Sequence, residues 1–246
     1  MTDVNRVAIV GGGIMGSGIG QALLQGGYEV AIRDVEEELL EEARDHIVTG
    51  NYGLDRAVES GHLTEAEKAA ALDRLALTTD IGEAVDGADI VIEAVPEELA
   101  IKGQVFRELD DVTDDVPLYS NTSGFSITSI ANAVDDPSRV AGAHFFNPAQ
   151  IMDLVEVVET EQTDEALVEM MVDLCEDIGK DPIVVEDAPG EYGFVANRCF
   201  GALVDEAKRI VEEGVATQEQ VDEALEKGYN FPVGPFSFTG IGEEWE

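Results

Sequence analysis

A histidine at the end of a strand, with a carboxylate brought back beside it, can act as a general base with its orienting partner. The segment Ala143-His144-Phe145-Phe146-Asn147-Pro148, followed by Glu156, has the spacing for that arrangement. Arg139-Val140-Ala141-Gly142 reads as a strand that delivers His144 at its end. Asn147-Pro148 then turns the chain, because proline fixes φ and drives its predecessor out of helix. Residues Met152 to Val158 read as a second strand, which carries Glu156 back alongside His144. There the carboxylate would accept a hydrogen bond from the ring, fix its tautomer and stabilise the imidazolium. The same pair is also compatible with a packed strand-end histidine beside two phenylalanines and a glutamate at the surface. Ser123, in Asn121-Thr122-Ser123-Gly124 after the strand-like Pro117-Leu118-Tyr119-Ser120, could hydrogen-bond a substrate oxygen, although serine and threonine at such places often cap helices.

The segment that tips the balance lies at the start of the chain. Arg6-Val7-Ala8-Ile9-Val10 is a continuous apolar run of the kind buried in parallel sheets, and Gly11-Gly12-Gly13-Ile14-Met15-Gly16 follows directly, ahead of a helical pattern from Ser17 to Gln25. This is G-x-G-x-x-G between a strand and a helix. Gly11 allows the tight turn, Gly13 lets the backbone approach a pyrophosphate, and Gly16 permits close helix–strand packing. The anion would sit on the free N–H groups of the helix N-terminus. Gly11, Gly13, Ile14, Met15 and Gly16 are therefore candidate cofactor contacts. Glu29-Val30-Ala31-Ile32-Arg33 is a second strand and ends in Asp34, about 20 residues beyond the glycines, where a carboxylate binds ribose hydroxyls and repels a 2′-phosphate. The pattern implies NAD rather than NADP, with Arg33 the one residue that argues the other way.

The elements that hold these groups alternate strand and helix through residues 1–185. Asp89 to Val95 is a further strand before Pro96-Glu97 and a helix carrying Lys102. The pattern gives an α/β fold: a doubly wound, mainly parallel Rossmann-type sheet. Residues 35–75 read as a helical hairpin, broken near Gly61 and restarted by a capping box at Thr64 and Glu67, serving as either a solvated acidic hairpin or a flap over substrate. From Tyr192 the pattern is helical, and a second capping box at Thr217 and Gln220 starts a helix that runs to Lys227. We place the NAD-binding domain at 1–186 and a second, smaller all-helical domain at 187–246.

Composition narrows the partners. Lysine and arginine number 14 against 53 for aspartate and glutamate, a formal net charge of −39 spread along the whole chain. Such a surface is unsuited to nucleic acid or anionic membranes. It would repel itself in dilute buffer, and adaptation to concentrated salt, where the repulsion is screened, follows as an expectation. The two cysteines, Cys175 and Cys199, lie far apart in helical patterns and suggest neither a disulfide framework nor a metal site. Residues 1–4 lead almost at once into a strand, leaving no room for a secretory leader, and no apolar run is long enough to span a membrane. A soluble cytoplasmic protein is expected.

Together these motifs resemble the 3-hydroxyacyl-CoA dehydrogenase family, including its 3-hydroxybutyryl-CoA members. The matching pieces are Gly11 to Gly20, Glu93-Ala94-Val95-Pro96-Glu97 with Lys102, Asn121-Thr122-Ser123, His144 to Pro148 through Met152 and Glu156, Asn197-Arg198, and Pro232-Val233-Gly234-Pro235. The resemblance implies reversible, NAD-linked oxidation of an L-3-hydroxyacyl-CoA to the 3-oxoacyl-CoA, with no metal. It makes His144 the base and Glu156 its partner, with Ser123 and Asn197 on the C3 oxygen. Asp34 and Glu97 would hold cofactor riboses or nearby backbone, and Lys102 would sit near NAD and the CoA portion. Three features depart from the pattern. Gly124 stands where many members carry a second serine. Glu191-Tyr192-Gly193 separates Pro189-Gly190 from Phe194, where many members run straight on. The chain stops at Trp245-Glu246, where the family's helical domain continues. Phe200, Leu203, Val204, Ile210 and Val211 in the helices, with Phe231, Phe236, Phe238 and Trp245 near the end, lead to the expectation of a homodimer through this domain, weaker than is usual for the family. The rival readings are another β-hydroxyacid or sugar-acid dehydrogenase on the same fold, and a non-catalytic paralogue.

Overall fold

A computed structural model describes residues 4–239 of the chain. Its sheet is built from strands whose alternate residues feed two separate apolar layers. In β1 (Arg6–Val10), Val7 and Ile9 enter one layer and Ala8 and Val10 the other, as a central parallel strand requires. Then come α1 (Ile14–Gly26), β2 (Glu29–Arg33), α2 (Glu37–Thr49), α3 (Leu54–Glu59), α4 (Glu65–Leu72) and β3 (Leu75–Thr78). Next are α5 (Ile81–Val85), β4 (Ile90–Glu93), α6 (Leu99–Val112), β5 (Leu118–Ser120) and α7 (Ile127–Ala131). A 3₁₀ turn at Pro137–Arg139 opens β6 (Val140–Phe145), and β7 (Leu154–Glu159), α8 (Glu165–Asp177) and β8 (Asp181–Glu186) complete the sheet.

The eight strands lie in the order β3-β2-β1-β4-β5-β6-β7-β8. All adjacent pairs are parallel except β6 with β7, so the sheet is doubly wound and mainly parallel, as the alternation of elements predicts. Leu23 and Leu24 of α1, Leu40 and Ile47 of α2 and Met171 and Leu174 of α8 cover one face. Val105, Phe106 and Leu109 of α6 and Ile127 and Ile130 of α7 cover the other.

Two strands fall outside the sequence-based expectation. β3 and β8 are the edge strands, and all of their residues stay half-buried or exposed, so their short apolar runs lack the two buried faces of a central strand. The helical excursion is three helices rather than a simple hairpin, and its capping box at Thr64 and Glu67 forms with both reciprocal hydrogen bonds.

The chain divides into two compact units after Phe194. The second contains α9 (Ala196–Glu212), α10 (Gln218–Tyr229) and α11 (Pro235–Thr239). Its helix begins at Ala196 rather than Tyr192, because Gly190 and Gly193 take positive φ and turn the chain first. Ala207, Val221 and Phe236 form its small core, with Ile210, Val211 and Leu225 packed against it. The Asp222 carboxylate accepts from Phe236 N, Ser237 N and Ser237 Oγ, which anchors α11. Phe236 is thus internal, whereas Phe231 and Phe238 are exposed and Phe238 meets Phe200 edge-on at 5.1 Å. Trp245 lies outside the described residues.

Candidate active site

The glycine loop separates three different reasons for lacking a side chain. Gly11 has φ +109°, and a Cβ there would lie 2.6 Å from Ala94 O. A Cβ on Gly16 would collide with the carbonyl oxygen of Gly11. Gly13, the N-cap of α1, has ordinary extended backbone, and a Cβ on it would meet nothing within 4 Å. No contact inside the protein calls for glycine at that position, and the open space lets a ligand approach the backbone there. No side chain caps α1 and no acid stands in its first turn, which leaves its N-terminal N–H groups and dipole directed at an incoming anion. Ile14 is 66% exposed beside it, and Met15 packs against the core.

Asp34, directly after β2, ties its carboxylate to this loop: Oδ2 accepts from Gly12 N at 2.6 Å and Oδ1 from Val35 N at 2.6 Å. Arg33 turns away to donate to Thr79 O at 3.3 Å. An open cradle at Gly13, an uncapped helix N-terminus and a carboxylate at the tip of the next strand fit a dinucleotide with a free ribose 2′-hydroxyl.

The ends of β4 and β5 form a buried polar network. Glu93, fully buried, accepts from Lys102 Nζ at 2.8 Å, Ser120 Oγ at 2.6 Å and Val95 N at 2.8 Å. Burial pushes its carboxyl above the usual value, and the Lys102 ammonium works against that shift. Lys102 is 1% exposed, and its remaining contacts are Val95 O at 3.4 Å and Glu97 Oε2 at 3.2 Å. Glu97 Oε1 accepts from Thr122 Oγ1 at 2.7 Å, Ser123 N at 2.9 Å and Ser123 Oγ at 3.2 Å. Partial burial alone would raise this carboxyl, but the Thr122 hydrogen bond and the Lys102 charge outweigh it and hold it below the usual value. Lys102 thus joins the two glutamates, and Glu97 fixes the loop that presents Ser123.

His144 and Glu156 are register partners across the antiparallel β6–β7 pair, where side chains directly opposite point to the same face. His144 Nδ1 lies 2.7 Å from Glu156 Oε2, and the two residues are 4% and 0% exposed. A carboxylate only accepts, so Nδ1 carries the hydrogen, and in the neutral ring the lone pair lies on Nε2. Phe146 at 4.4 Å and Phe194 at 5.9 Å flank the ring. Asn121 Oδ1 accepts from Phe145 N at 2.8 Å and so ties the Ser123 loop to the strand end that bears His144.

Asn197 stands in the first turn of α9, within the second unit. Asn121 and Glu93 act as positioning groups to which the sequence reading gave no role, although both lie in segments that match the family pattern. Tyr192 also enters the site, with its hydroxyl 3.1 Å from Ser123 Oγ.

A cavity of about 270 Å³ opens between α1, the α2–α3 connection and the turn after β6, lined by Ser17, Gln21, His46, Tyr52, Asn147 and Gln150 among others. Gln21 Nε2 donates to Tyr52 O at 2.7 Å, which fixes the orientation of the amide and leaves its buried Oε1 without a partner. Among the described residues no cluster of three or more His, Cys, Asp or Glu could hold a metal ion, and no helix is long and apolar enough to cross a membrane.

Residues 6–188 match the family description "3-hydroxyacyl-CoA dehydrogenase, NAD binding domain", and residues 193–240 match its C-terminal domain. A 3-hydroxybutyryl-CoA dehydrogenase of Mycobacterium tuberculosis is 40% identical over 98% of this chain and 83% of its own length. The mitochondrial hydroxyacyl-coenzyme A dehydrogenase of Rattus norvegicus is 37% identical, over 95% of this chain and 74% of its own. The crystal structure of an (S)-3-hydroxybutyryl-CoA dehydrogenase from Ralstonia eutropha superposes with a TM-score of 0.90 at 35% identity, over 96% of this chain and 81% of that one. The chain belongs to the 3-hydroxyacyl-CoA dehydrogenase family, as an NAD-dependent dehydrogenase on a Rossmann-type sheet.

Proposed function

We propose that the chain reversibly oxidises the 3-hydroxyl of L-3-hydroxyacyl-CoA esters, 3-hydroxybutyryl-CoA among them, to the 3-oxoacyl-CoA. The observation that carries this reading is the buried His144–Glu156 pair, an imidazole bound through Nδ1 to a carboxylate, which leaves Nε2 as the nitrogen that can take a proton. His144 Nε2 takes the hydroxyl proton, and Glu156 holds the resulting imidazolium. Ser123 and Asn197 hydrogen-bond the C3 oxygen. Gly11, Gly13, Ile14, Met15 and Gly16 hold the pyrophosphate end of NAD, and Asp34 its adenosine ribose. Lys102 acts through Glu97, which orders the loop beside the cofactor. When bound, NAD supplies the hydride acceptor; the chain supplies position, base and charge.

The cavity beside Gln21 suits the amide-bearing arm of CoA. Amide side chains from Asn147 and Gln150 line it, and the unpaired Gln21 oxygen can accept an amide N–H. The homodimer proposed through the second unit is supported by Val195, Tyr229, Phe231 and Phe238, all exposed apolar or aromatic residues of that unit. The scarcity of lysine and arginine supports a cytoplasmic enzyme of a salt-rich interior, without nucleic acid or membrane partners. The test is NADH formation from 3-hydroxybutyryl-CoA. Turnover of free 3-hydroxy acids or sugar acids at a comparable kcat/KM would overturn the CoA-ester assignment, and absence of turnover on every substrate would favour a non-catalytic paralogue.

A further inference from the structure

Ser123 Oγ sits between two groups of different character, the Glu97 carboxylate at 3.2 Å and the Tyr192 hydroxyl at 3.1 Å. Tyr192 belongs to a short segment, Gly190 to Gly193, whose end glycines both take positive φ, so the chain bends in and out again. Three contacts seat the segment. Gly193 N donates to Gly124 O at 3.1 Å, Glu191 N donates to Ala188 O at 3.1 Å, and the Tyr192 ring meets Phe125 edge-on at 5.9 Å. Gly124 makes the seat possible: a Cβ there would stand 2.5 Å from Gly193 N and 2.7 Å from Tyr192 Cζ. The tyrosine is nevertheless 59% exposed, so apolar burial alone does not account for its placement.

We propose that Tyr192 is a positioning residue for Ser123, donating its hydroxyl hydrogen to Ser123 Oγ so that the serine hydrogen is aimed at the substrate's C3 oxygen. This rests on the reading above that Ser123 contacts that oxygen. The direction of the bonds follows from the chemistry of the neighbours. Glu97, held below the usual carboxylate range, accepts only, so Ser123 donates to it and receives from Tyr192. Of the three donors on Glu97 Oε1 the serine hydroxyl is the most distant, and it is the one that gives way when a substrate oxygen competes. The serine then turns its hydrogen to the substrate while Tyr192 still holds its oxygen. Donation into Ser123 Oγ also polarises the serine O–H and strengthens the bond it makes.

The test is a double-mutant cycle of Tyr192→Phe and Ser123→Ala, assayed with 3-hydroxybutyryl-CoA and NAD. Tyr192→Phe removes one exposed hydroxyl and keeps the ring on Phe125. It should lower kcat about 3- to 10-fold, the worth of one hydrogen bond, with KM for NAD and the melting temperature unchanged. In the Ser123→Ala background the same change should lower kcat by less than about 2-fold, because the group it positions is gone. An unaffected kcat in Tyr192→Phe, or an equal loss in both backgrounds, overturns the role of Tyr192. A Ser123→Ala enzyme with wild-type kcat instead overturns the reading of Ser123, and the two failures are told apart by which single variant stays active.

Discussion

Glu156→Gln is the sharpest perturbation the site allows. The amide has nearly the shape of the carboxylate and keeps an oxygen to accept the Nδ1 hydrogen at 2.7 Å, so tautomer and ring orientation survive. What it removes is a charge. The two residues are only 4% and 0% exposed, so water does little to replace the lost counter-charge when His144 becomes an imidazolium. Two unit charges about 4 Å apart interact by about 4 kcal/mol at an effective dielectric constant of about 20. At 1.36 kcal/mol per decade that is about a 10³-fold loss, to be read as an upper figure because the amide dipole still favours the imidazolium. Stopped-flow NADH formation under saturating substrate should therefore show kcat lowered about 10²- to 10³-fold, with NAD affinity by fluorescence titration unchanged within about 2-fold. His144→Gln should lose about 10²- to 10⁴-fold, and adding Glu156→Gln to it should cost little more, since the carboxylate acts through the ring. A Glu156→Gln enzyme within about 5-fold of wild type would refute the argument, as would multiplicative losses in the double variant.

Three further outcomes follow from other parts of the molecule. NAD should exceed NADP in kcat/KM by about 100-fold or more, because Asp34 presents a carboxylate where like charges cost several kcal/mol and Arg33 is engaged with Thr79; equal values would mean that Arg33 swings over to the 2′-phosphate. Gln21→Leu should raise KM for 3-hydroxybutyryl-CoA about 3- to 10-fold and leave KM for NAD unchanged, and equal changes in both would remove the amide arm from that cavity. With a formal charge of −39, melting temperature should climb by several degrees as KCl rises into the molar range, light scattering over the same series should show the proposed dimer dissociating as salt is lowered, and a flat or falling melt would contradict the proposed salt adaptation.

What the sequence disclosed was local chemistry with a fixed spacing. Gly11, Gly13 and Gly16 announce themselves because a strand, a turn and a helix follow within a few residues. The central strands are legible because both their faces are buried and most of their residues are apolar. β3 escapes for the opposite reason: it is a half-exposed edge strand that continues out of a helical stretch. The polar network is invisible because its members meet across long separations. Glu93 finds Ser120, Gln21 finds Tyr52 and Ser123 finds Tyr192, and no periodicity encodes those meetings. Gly124 and the Glu191-Tyr192-Gly193 insert are visible in the sequence as two unrelated departures, yet in the fold each makes room for the other.

Burying Lys102 against Glu93 also insulates the site. The net negative surface feels every ion in the medium, and its repulsions fade within a few ångströms at molar ionic strength. An ammonium 1% exposed and a carboxylate with no exposure exclude mobile ions from the space between them, so their attraction stays the same from dilute buffer to brine. Salt can therefore change the repulsion across the surface without altering the attraction between Lys102 and Glu93. The surface answers to ionic strength, while Lys102 and Glu93 meet in a medium of their own.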